Sequence, residues 1–277
     1  KGHEVFGLTH RKIECHVQNH IHSVDLADTD KLSAILNQLQ PDWIIHLAAI
    51  AFVAHKNVSE IYQTNVLGTR NLLDAISTQV PNVSRVLLAS SANIYGNSSE
   101  GILTETSKPS PNNDYAVSKL AMEHVANLYI NRLPLITVRP FNYTGVGQSG
   151  DFLIPKIVGH FQRRAPAIEL GNLDVARDFS DVRNVIEAYC SLIEAPSNQI
   201  LGQVFNVCSE VPTSLRDILN MASTICGHEL EVNVNPAFVR TNEIKTLTGS
   251  CAKLETAVGK LPKRSLYSTL EWMLSSA

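Results

Sequence analysis

Short apolar runs bounded by turn residues alternate along the chain with longer segments whose apolar residues recur every three or four positions. The short runs predict strands, and the periodic segments predict amphipathic helices. In the first half of the chain, strands are predicted at 3–8, 20–25, 43–47, 83–90 and 135–139, and helices at 29–39, 58–78 and 113–131. Strands this continuously apolar are typical of a parallel sheet that helices cover on both faces. The pattern therefore predicts an α/β fold with a doubly wound parallel sheet.

The pattern changes after Pro140, where short apolar runs interleave more closely with helical segments. Helices are predicted at 152–164, 182–193, 215–226, 252–258 and 265–274, and strands at 167–170, 204–207 and 230–234. We therefore predict a sheet domain of residues 1–140 and a smaller C-terminal lobe, mainly residues 141–277, interleaved with it. A lobe at the carboxyl ends of the strands lines the crevice where open α/β folds bind ligands.

Composition places the chain among ordinary globular proteins, because 44% of its 277 residues are apolar and 18% are charged. A net charge of −3 gives no basic footprint for nucleic acid or for an anionic membrane surface. No apolar run approaches the roughly 20 residues of a membrane span, and we expect no signal peptide. The five cysteines are scattered without C-x-x-C spacing, which is typical of reduced thiols in a cytoplasmic protein.

Three histidines, His16, His20 and His22, lie close together where a predicted loop meets a predicted strand. A metal site needs further ligands at suitable spacing, and neither a cysteine nor a carboxylate joins these histidines in that way. We therefore expect no metal centre in this protein.

The stretch DYAVSK places Tyr115 and Lys119 four positions apart in a predicted helix, so that both side chains lie on one face. Such a pair can be an ordinary surface pair, or a tyrosine whose pKa a nearby cation lowers so that it can exchange protons. The upstream stretch LLASSANIYG ends an apolar strand in Ser90 and Ser91. A strand-terminal serine followed by Tyr-x-x-x-Lys favours the second interpretation.

Together with HLAAIAFV (46–53) and NVLGTRNLL (65–73), this pattern resembles the extended short-chain dehydrogenase/reductase family. The resemblance implies a Rossmann fold that transfers hydride between a nicotinamide cofactor and a nucleotide sugar. It implies that Tyr115 donates or accepts the proton, that Lys119 lowers the tyrosine pKa and contacts the nicotinamide ribose, and that Ser91 hydrogen-bonds the reacting oxygen. Ser91 matches the family's serine because it lies four residues before Tyr95 of the Tyr-Gly pair.

One position separates the reactions of this family. Its dehydratases resemble one another in an acidic residue two positions after the catalytic serine or threonine, whereas Ser91 is followed here by Ala92 and Asn93. Neither residue shuttles a proton at neutral pH. The resemblance therefore implies a reductase or an epimerase, and not a dehydratase.

Downstream segments resemble the GDP-sugar branch of the family, whose nearest member type is the GDP-4-keto-6-deoxy-D-mannose reductases. These segments are RPFNYTGVGQ (139–148), GNLDVARDFSDVRNV (171–185), FNVCSE (205–210) and NPAFVRTNEIKTLTGS (235–250). The resemblance implies that Asn142 and Arg177 hold the diphosphate, that Arg240 contacts phosphate, and that Glu243 binds the ribose hydroxyls. An arginine suits phosphate, and a carboxylate suits paired hydroxyls.

The implied reaction is reduction of GDP-4-keto-6-deoxy-D-mannose to GDP-D-rhamnose in deoxysugar biosynthesis. Three alternatives stay open: a reductase that forms GDP-6-deoxy-D-talose, a nucleotide-sugar 4-epimerase, and a non-catalytic nucleotide sensor. The sensor is disfavoured because such members tend to lose the tyrosine or the lysine, and this chain keeps both.

The cofactor preference is inferred from the residues after the second strand of the family's fold. Thr9, His10, Arg11 and Lys12 stand where NAD-binding relatives usually carry an acid. A cation favours the 2′-phosphate, so we expect Arg11 to bind NADPH, with NADH as the alternative. The remaining cofactor contacts implied by the resemblance are Asp25, Leu26, Ala48, Ala49, Asn65, Tyr115 and Lys119.

Two further expectations come from the resemblance. The family's first strand and glycine-rich turn do not occur in this sequence, and we expect about 20 residues carrying them upstream of Lys1. In family dimers, two long helices from each subunit form a four-helix bundle, and the helices at 58–78 and 113–131 correspond to them. We therefore expect a homodimer with apolar contacts from Leu120, Val125 and Leu128, although helix amphipathicity alone does not require one.

Overall fold

The computed structural model describes residues 2–10, 20–52, 55, 57–96, 101–238 and 246–276. Its strands are β1 (Gly7–Thr9), β2 (Ile21–Ser23), β3 (Trp43–His46), β4 (Arg85–Ala89), β5 (Gly101–Leu103), β6 (Leu135–Pro140), β7 (Asn142–Thr144), β8 (Ala167–Leu170), β9 (Ala176–Asp181), β10 (Gln203–Val207), β11 (Pro212–Ser214), β12 (Glu231–Val234) and β13 (Thr246–Gly249).

The α-helices are α1 (Thr29–Leu39), α2 (Val58–Tyr62), α3 (Thr69–Gln79), α4 (Asp114–Asn127), α5 (Leu153–Gln162), α6 (Val182–Glu194), α7 (Ser197–Ile200), α8 (Leu215–Cys226), α9 (Ala252–Val258) and α10 (Leu266–Ser275). A π-helical segment, Gln63–Gly68, connects α2 to α3, and short 3₁₀ turns occur at Ala92–Tyr95 and Pro236–Phe238. Among the helices described, none is both long enough and apolar enough to cross a membrane.

The chain divides into two compact units. The first unit comprises Lys1–Ser90 and Asn113–Thr137, and the second comprises Ser91–Asn112 and Val138–Ala277. Strand β6 passes from the first unit into the second after Thr137. The boundary at residue 140 between a sheet domain and a smaller lobe stays a prediction.

Parallel strand pairs organise the first unit. β1 pairs with β2, and β3 pairs with β4 from Trp43 opposite Arg85 to His46 opposite Leu88. The first half of β6 lies beside β4. Helices α1, α3 and α4 cover this unit with apolar side chains, and burial of such side chains is the main stabilising term of a fold. The buried core cluster includes Leu32, Leu36, Leu72, Leu73, Ile76, Val86, Leu88, Met122 and Ala126.

The second unit is built around β9. This strand pairs with β11 in antiparallel orientation and with β7 and β13 in parallel orientation, while β13 pairs in turn with β5. A separate parallel pair joins β8 to β12. Helices α5, α8 and α10 bury an apolar core of their own, which includes Ile157, Phe161, Ile218, Leu219, Ala222 and Leu270. The parallel strand pairs of the first unit and the mixed sheet of the second unit give a Rossmann-like α/β architecture, as the sequence predicts.

Polar side chains fix where many helices begin. A side-chain oxygen at the N-cap accepts a backbone N–H that has no partner within the helix, which stabilises the helix by about 1 kcal/mol. The caps are Asp28 for α1, Asn57 for α2, Asn113 for α4, Asp181 for α6, Ser214 for α8 and Ser265 for α10.

Several predicted elements have the predicted bounds, namely α1, β8, α8 and α9. The prediction of one regular helix over 58–78 is wrong in its middle, where Gln63–Gly68 is π-helical. The helix predicted to reach residue 131 ends at Asn127, because the chain turns there and brings the Tyr129 hydroxyl to Asp74 at 2.6 Å. The strand predicted at 3–8 is also wrong, since β1 begins only at Gly7.

Gly96 closes the 3₁₀ turn Ala92–Tyr95 in a conformation that glycine adopts most easily, with φ of 58°. A Cβ atom on Gly96 would lie 1.7 Å from the backbone oxygen of Ser110. We therefore predict that Gly96→Ala destabilises the protein by about 3 kcal/mol or more. The check is chemical denaturation against Gly150→Ala, whose Cβ meets no atom within 4 Å. Equal stability of the two variants would contradict the prediction.

Candidate active site

Helix α4 places Tyr115 in its first turn and Lys119 one turn later. The helix begins at Asp114 because the Asn113 side chain accepts the Ala116 N–H at 2.9 Å. Tyr115 is 7% exposed and Lys119 is 4% exposed, so the predicted pair is no surface pair. The Lys119 ammonium donates to the carbonyl oxygen of Ala89 at 2.7 Å, at the carboxyl end of β4. The structure thus holds a buried cation one helical turn from a buried phenol.

Burial lowers the pKa of Lys119 to about 8, and the nearby Glu123 carboxylate opposes this shift. Burial, and then the positive charge of Lys119, lower the pKa of His46 to about 3. His46 is therefore neutral at physiological pH. Its Nε2 atom lies 2.9 Å from the Thr69 hydroxyl oxygen, and that hydroxyl donates to the carbonyl oxygen of Asn65 at 2.8 Å. Since the Thr69 hydrogen is used, we assign the Nε2–H tautomer to His46.

Asn65 connects the loop after β3 to α4. Its Oδ1 accepts the Ile50 N–H at 2.8 Å, and its Nδ2 donates to the Ile50 carbonyl at 3.1 Å and to the Ser118 hydroxyl at 3.0 Å. Ser118 donates in turn to the Tyr115 carbonyl at 2.8 Å. This fully buried amide therefore anchors the helical turn that carries the tyrosine. The predicted cofactor contact of Asn65 stays a prediction.

The other predicted cofactor residues of the first unit follow the carboxyl ends of β2 and β3. Asp25 is exposed and accepts the Ala27 N–H at 2.9 Å, which shapes the turn after β2. Leu26 lies against Gly68, where an added Cβ would come within 3.0 Å of its Cδ1 atom. Ala48 and Ala49 follow β3, and Ala48 is exposed.

Ser91 begins the 3₁₀ turn Ala92–Tyr95 in the second unit. Its hydroxyl oxygen accepts from both the backbone N–H and the side-chain Nδ2 of Asn93, each at 3.1 Å. Because the oxygen accepts twice, its own hydrogen remains able to donate to a further acceptor. The preceding Ser90 ends the first unit; its buried Oγ lacks a hydrogen-bond partner within the part of the chain that the structure describes.

A buried polar network holds this turn from its far end. The Tyr95 hydroxyl donates to Asn206 at 2.7 Å and accepts from Arg139 at 3.0 Å. The Asn206 N–H donates to the Glu105 carboxylate at 2.8 Å. Burial raises the pKa of Tyr95, so this phenol stays protonated and structural. The sequence analysis used Tyr95 only to identify Ser91 as the matching serine. Nothing in the sequence pattern indicated that Asn206 and Glu105 belong to the hydrogen-bond network of Tyr95.

The predicted diphosphate residues lie on neighbouring strands of the second unit. Asn142 is on β7 and Arg177 is on β9, and these strands run parallel with Asn142 opposite Phe179. The Asn142 amide donates to the Asp178 carbonyl at 3.0 Å, and Arg177 donates to the Ala176 carbonyl at 2.9 Å.

Asp178 organises this part of the sheet, although sequence reasoning missed it. Its fully buried carboxylate accepts the N–H groups of Ser209 and Glu210 at 2.7 and 2.9 Å, and the Thr248 hydroxyl at 3.0 Å. The other three predicted ligand-binding residues, Arg11, Arg240 and Glu243, lie outside the described residues.

Comparisons with a family model and with individual relatives all indicate the same protein family. The family described as GDP-mannose 4,6 dehydratase matches residues 4–273. GDP-6-deoxy-D-talose 4-dehydrogenase of Aggregatibacter actinomycetemcomitans is 36% identical over 92% of this chain and 83% of that relative. GDP-6-deoxy-D-mannose reductase of Pseudomonas aeruginosa is 34% identical over 92% of this chain and 86% of its own length.

Solved structures agree. A protein from Burkholderia cenocepacia J2315, provisionally assigned as an epimerase, is 49% identical with a TM-score of 0.92, over 99% of this chain and 90% of that one. RMD from Pseudomonas aeruginosa, complexed with NADPH, is 34% identical with a TM-score of 0.83, over 92% of this chain and 86% of that one. The resemblance inferred from the motifs is thereby confirmed. The chain belongs to the GDP-mannose 4,6 dehydratase family within the extended short-chain dehydrogenases/reductases, and it is an oxidoreductase of the nucleotide-sugar class.

Proposed function

We propose that this protein uses NADPH to reduce the 4-keto group of GDP-4-keto-6-deoxy-D-mannose, giving GDP-D-rhamnose. The observation that carries the proposal is the buried Lys119 ammonium, held by the Ala89 carbonyl at 2.7 Å one helical turn from Tyr115. A buried cation beside a buried phenol is costly for folding and favours loss of the phenol proton. Such a pair is suited to delivering a proton to an oxygen that becomes negatively charged.

The residues present fit a nicotinamide cofactor in the chemistry of their donors. A phenol and an ammonium on one helix face can hydrogen-bond ribose hydroxyls, and the exposed Asp25 carboxylate after β2 can accept from the adenine amine. RMD, which shares the fold, is complexed with NADPH. When bound, NADPH supplies the hydride. Arg11 is the proposed partner of its 2′-phosphate, because a guanidinium binds phosphate well.

Each catalytic side chain then has one task. Tyr115 gives its proton to the ketone oxygen, which gains negative charge as the carbon is reduced. Lys119 stabilises the resulting phenolate. Ser91 donates its hydroxyl hydrogen to the same oxygen, a task supported by the two hydrogen bonds that its oxygen already accepts from Asn93.

The same Asn93 bonds support reduction over dehydration. The Asn93 Nδ2 group donates to Ser91, which a carboxylate at this position would not do at neutral pH. A side-chain amide also neither gives up nor accepts a proton at neutral pH, as elimination of water would require. We therefore propose that this member of a family named for dehydratases is not a dehydratase itself.

The sugar nucleotide is assigned to the second unit. Asn142 and Arg177 are the proposed diphosphate residues, supported by their position on the neighbouring strands β7 and β9. Arg240 and Glu243 are the proposed contacts of phosphate and of the ribose hydroxyls. The GDP-sugar names of two relatives support a guanine nucleotide.

Two alternative reactions have specific support. The 36% identical relative is a GDP-6-deoxy-D-talose 4-dehydrogenase, which favours a reductase that forms the other C4 epimer. The 49% identical structure, provisionally assigned as an epimerase, favours a 4-epimerase that keeps its cofactor through both half-reactions.

The homodimer stays a prediction. Leu128 on the turn after α4 and Leu67 in the π-helical segment are 69% and 46% exposed, which supports an apolar contact between subunits. Val125 instead packs partly against the core of its own unit. The cytoplasmic location likewise stays a prediction.

The proposed reaction predicts that purified enzyme, GDP-4-keto-6-deoxy-D-mannose and NADPH together oxidise the cofactor, seen as loss of its absorbance. Product NMR is expected to show GDP-D-rhamnose. A talose product would replace the proposed stereochemistry with the first alternative. Turnover without added NADPH, with nucleotide co-purifying, would replace it with the epimerase. If NADPH is not oxidised in the presence of GDP-4-keto-6-deoxy-D-mannose, the result would contradict the proposal.

Removal of the proposed proton donor tests the role of Tyr115. We predict that Tyr115→Phe lowers kcat by a factor of about 10²–10⁴, because a positioned proton donor contributes that much, while NADPH still binds. The matched control is Tyr129→Phe, which removes a hydroxyl bonded to Asp74 from the turn after the same helix. If both variants keep wild-type kcat, Tyr115 is not the proton donor.

The lowered pKa of Lys119 predicts a pH dependence. The ammonium is charged below about pH 8 and loses its proton above that value, so its support of the phenolate is lost as the pH rises. We expect kcat/KM for reduction to fall above about pH 8. A Lys119→Arg variant that still turns over keeps its charge and should extend the plateau, because arginine stays protonated. A wild-type plateau that continues to about pH 10, the ordinary lysine range, would argue against this role.

A further inference from the structure

Two cysteines that the proposed reaction does not use lie in direct contact in the second unit. The sulfur atoms of Cys208 and Cys251 are 2.9 Å apart, although 43 positions separate the residues in the sequence. Both residues are buried, with 6% and 2% exposure. Cys208 follows β10, and Cys251 lies at the start of α9. A disulfide bond is about 2.05 Å long, so a shift of less than about 1 Å would allow the sulfurs to bond.

The groups around the pair give the two thiols different properties. The Cys251 sulfur accepts the backbone N–H of Cys208 at 3.2 Å, and the Lys263 ammonium interacts electrostatically with it. The Cys251 thiol also reaches the Cys208 carbonyl oxygen at 3.1 Å, so two backbone groups of Cys208 hold its sulfur in place. The hydrogen bond to Cys251, and then burial, raise the pKa of Cys208 well above its ordinary value. Cys208 therefore stays protonated, which leaves Cys251 as the sulfur that attacks first.

A small cavity gives access to the pair. Cys208 and Cys251 line it together with side chains from β9, from α6 and from the segment around α9, and most of these side chains are apolar. The polar groups of this lining are Ser180, Asn184, Glu255 and Lys263. A small oxidant can therefore approach sulfur atoms that are otherwise enclosed by protein.

We propose that Cys208 and Cys251 form a peroxide-sensitive dithiol site that is oxidised reversibly to an intramolecular disulfide. The Cys251 thiolate attacks one oxygen of hydrogen peroxide; the O–O bond breaks, Cys251 becomes a sulfenic acid, and hydroxide leaves and is protonated to water. The Cys208 sulfur then attacks the sulfenic sulfur, an S–S bond forms and the S–O bond breaks. The departing hydroxide takes the Cys208 proton, so two thiols and one peroxide give one disulfide and two waters.

A metal site is the competing interpretation, because the Glu210 carboxylate lies within 4.8 Å of both sulfurs. The sulfur separation argues against it. Two thiolates on tetrahedral zinc, with bonds of about 2.3 Å, lie about 3.8 Å apart. Glu210 is also engaged, because its two oxygens accept the Cys251 N–H and the Lys263 ammonium, each at 2.7 Å.

The disulfide would connect two segments that flank β9. Cys208 directly precedes Ser209 and Glu210, whose N–H groups bind the Asp178 carboxylate on β9. Cys251 follows β13, which pairs with β9 at Arg177. Oxidation therefore fixes the ends of β10 and β13 to each other, and we expect it to raise the melting temperature of the protein by several degrees.

The test is treatment of the reduced full chain with hydrogen peroxide, followed by blocking of remaining thiols, proteolysis and mass spectrometry. We expect one crosslinked peptide pair containing Cys208 and Cys251, a higher Tm, and reversal of both by a dithiol reductant. Cys251→Ser should abolish the crosslink and the Tm shift. The matched control is Cys190→Ser, which removes a partly exposed cysteine and should leave both unchanged.

Wild-type protein alone can overturn the proposal, so it does not depend on the folding of a variant. Thiols at 208 and 251 that stay free after oxidation, or a crosslink that involves another cysteine or a second chain, would contradict it. Stoichiometric zinc bound by the reduced protein, with loss of that zinc in Cys251→Ser, would identify a metal site instead.

Discussion

A buried ammonium group at the carboxyl end of β4 constrains much of the first unit. Lys119 is almost fully buried, and removing a cation from water costs several kcal/mol unless the protein provides partners. The Ala89 carbonyl supplies one, and the neutral His46 adds no competing positive charge nearby. A lysine with only a structural role would cost less free energy of folding at the surface. The burial is better explained by chemistry, because desolvation and proximity let this cation influence the phenol one turn away.

The neighbouring hydrogen bonds hold Tyr115 and Lys119 in position. Asn65 ties the loop after β3 to Ser118 and so to the Tyr115 carbonyl, and the π-helical segment carries the Asn65 side chain. In the second unit, Ser91 occupies the start of a 3₁₀ turn whose other end is fixed by Tyr95. The groups with proposed chemistry are thus held by local backbone structure and by hydrogen-bonded polar neighbours, which keeps their geometry fixed.

The sequence predicted the parallel α/β architecture and the helix that carries Tyr115 and Lys119, because apolar periodicity and the Tyr-x-x-x-Lys spacing are local signals. It did not predict β9, the centre of the second sheet. The sequence of that strand, ARDFSD, is largely polar, and its two carboxylates are buried because residues distant in the sequence donate hydrogen bonds to them. Ser209 and Glu210 donate to Asp178, and Thr269 donates to Asp181. It also did not predict the contact between Cys208 and Cys251, since no local pattern encodes a pairing of residues 43 positions apart.

The central claim is that the Lys119 ammonium is desolvated enough to titrate near neutrality. Selective ¹³C labelling of lysine side chains, with the Lys119 resonance assigned from a Lys119→Arg variant, gives its titration directly by NMR. The account predicts a midpoint near pH 8, well below the ordinary lysine value of about 10.4. A Lys119 resonance that titrates together with solvent-exposed lysines, at about pH 10.4, would contradict it.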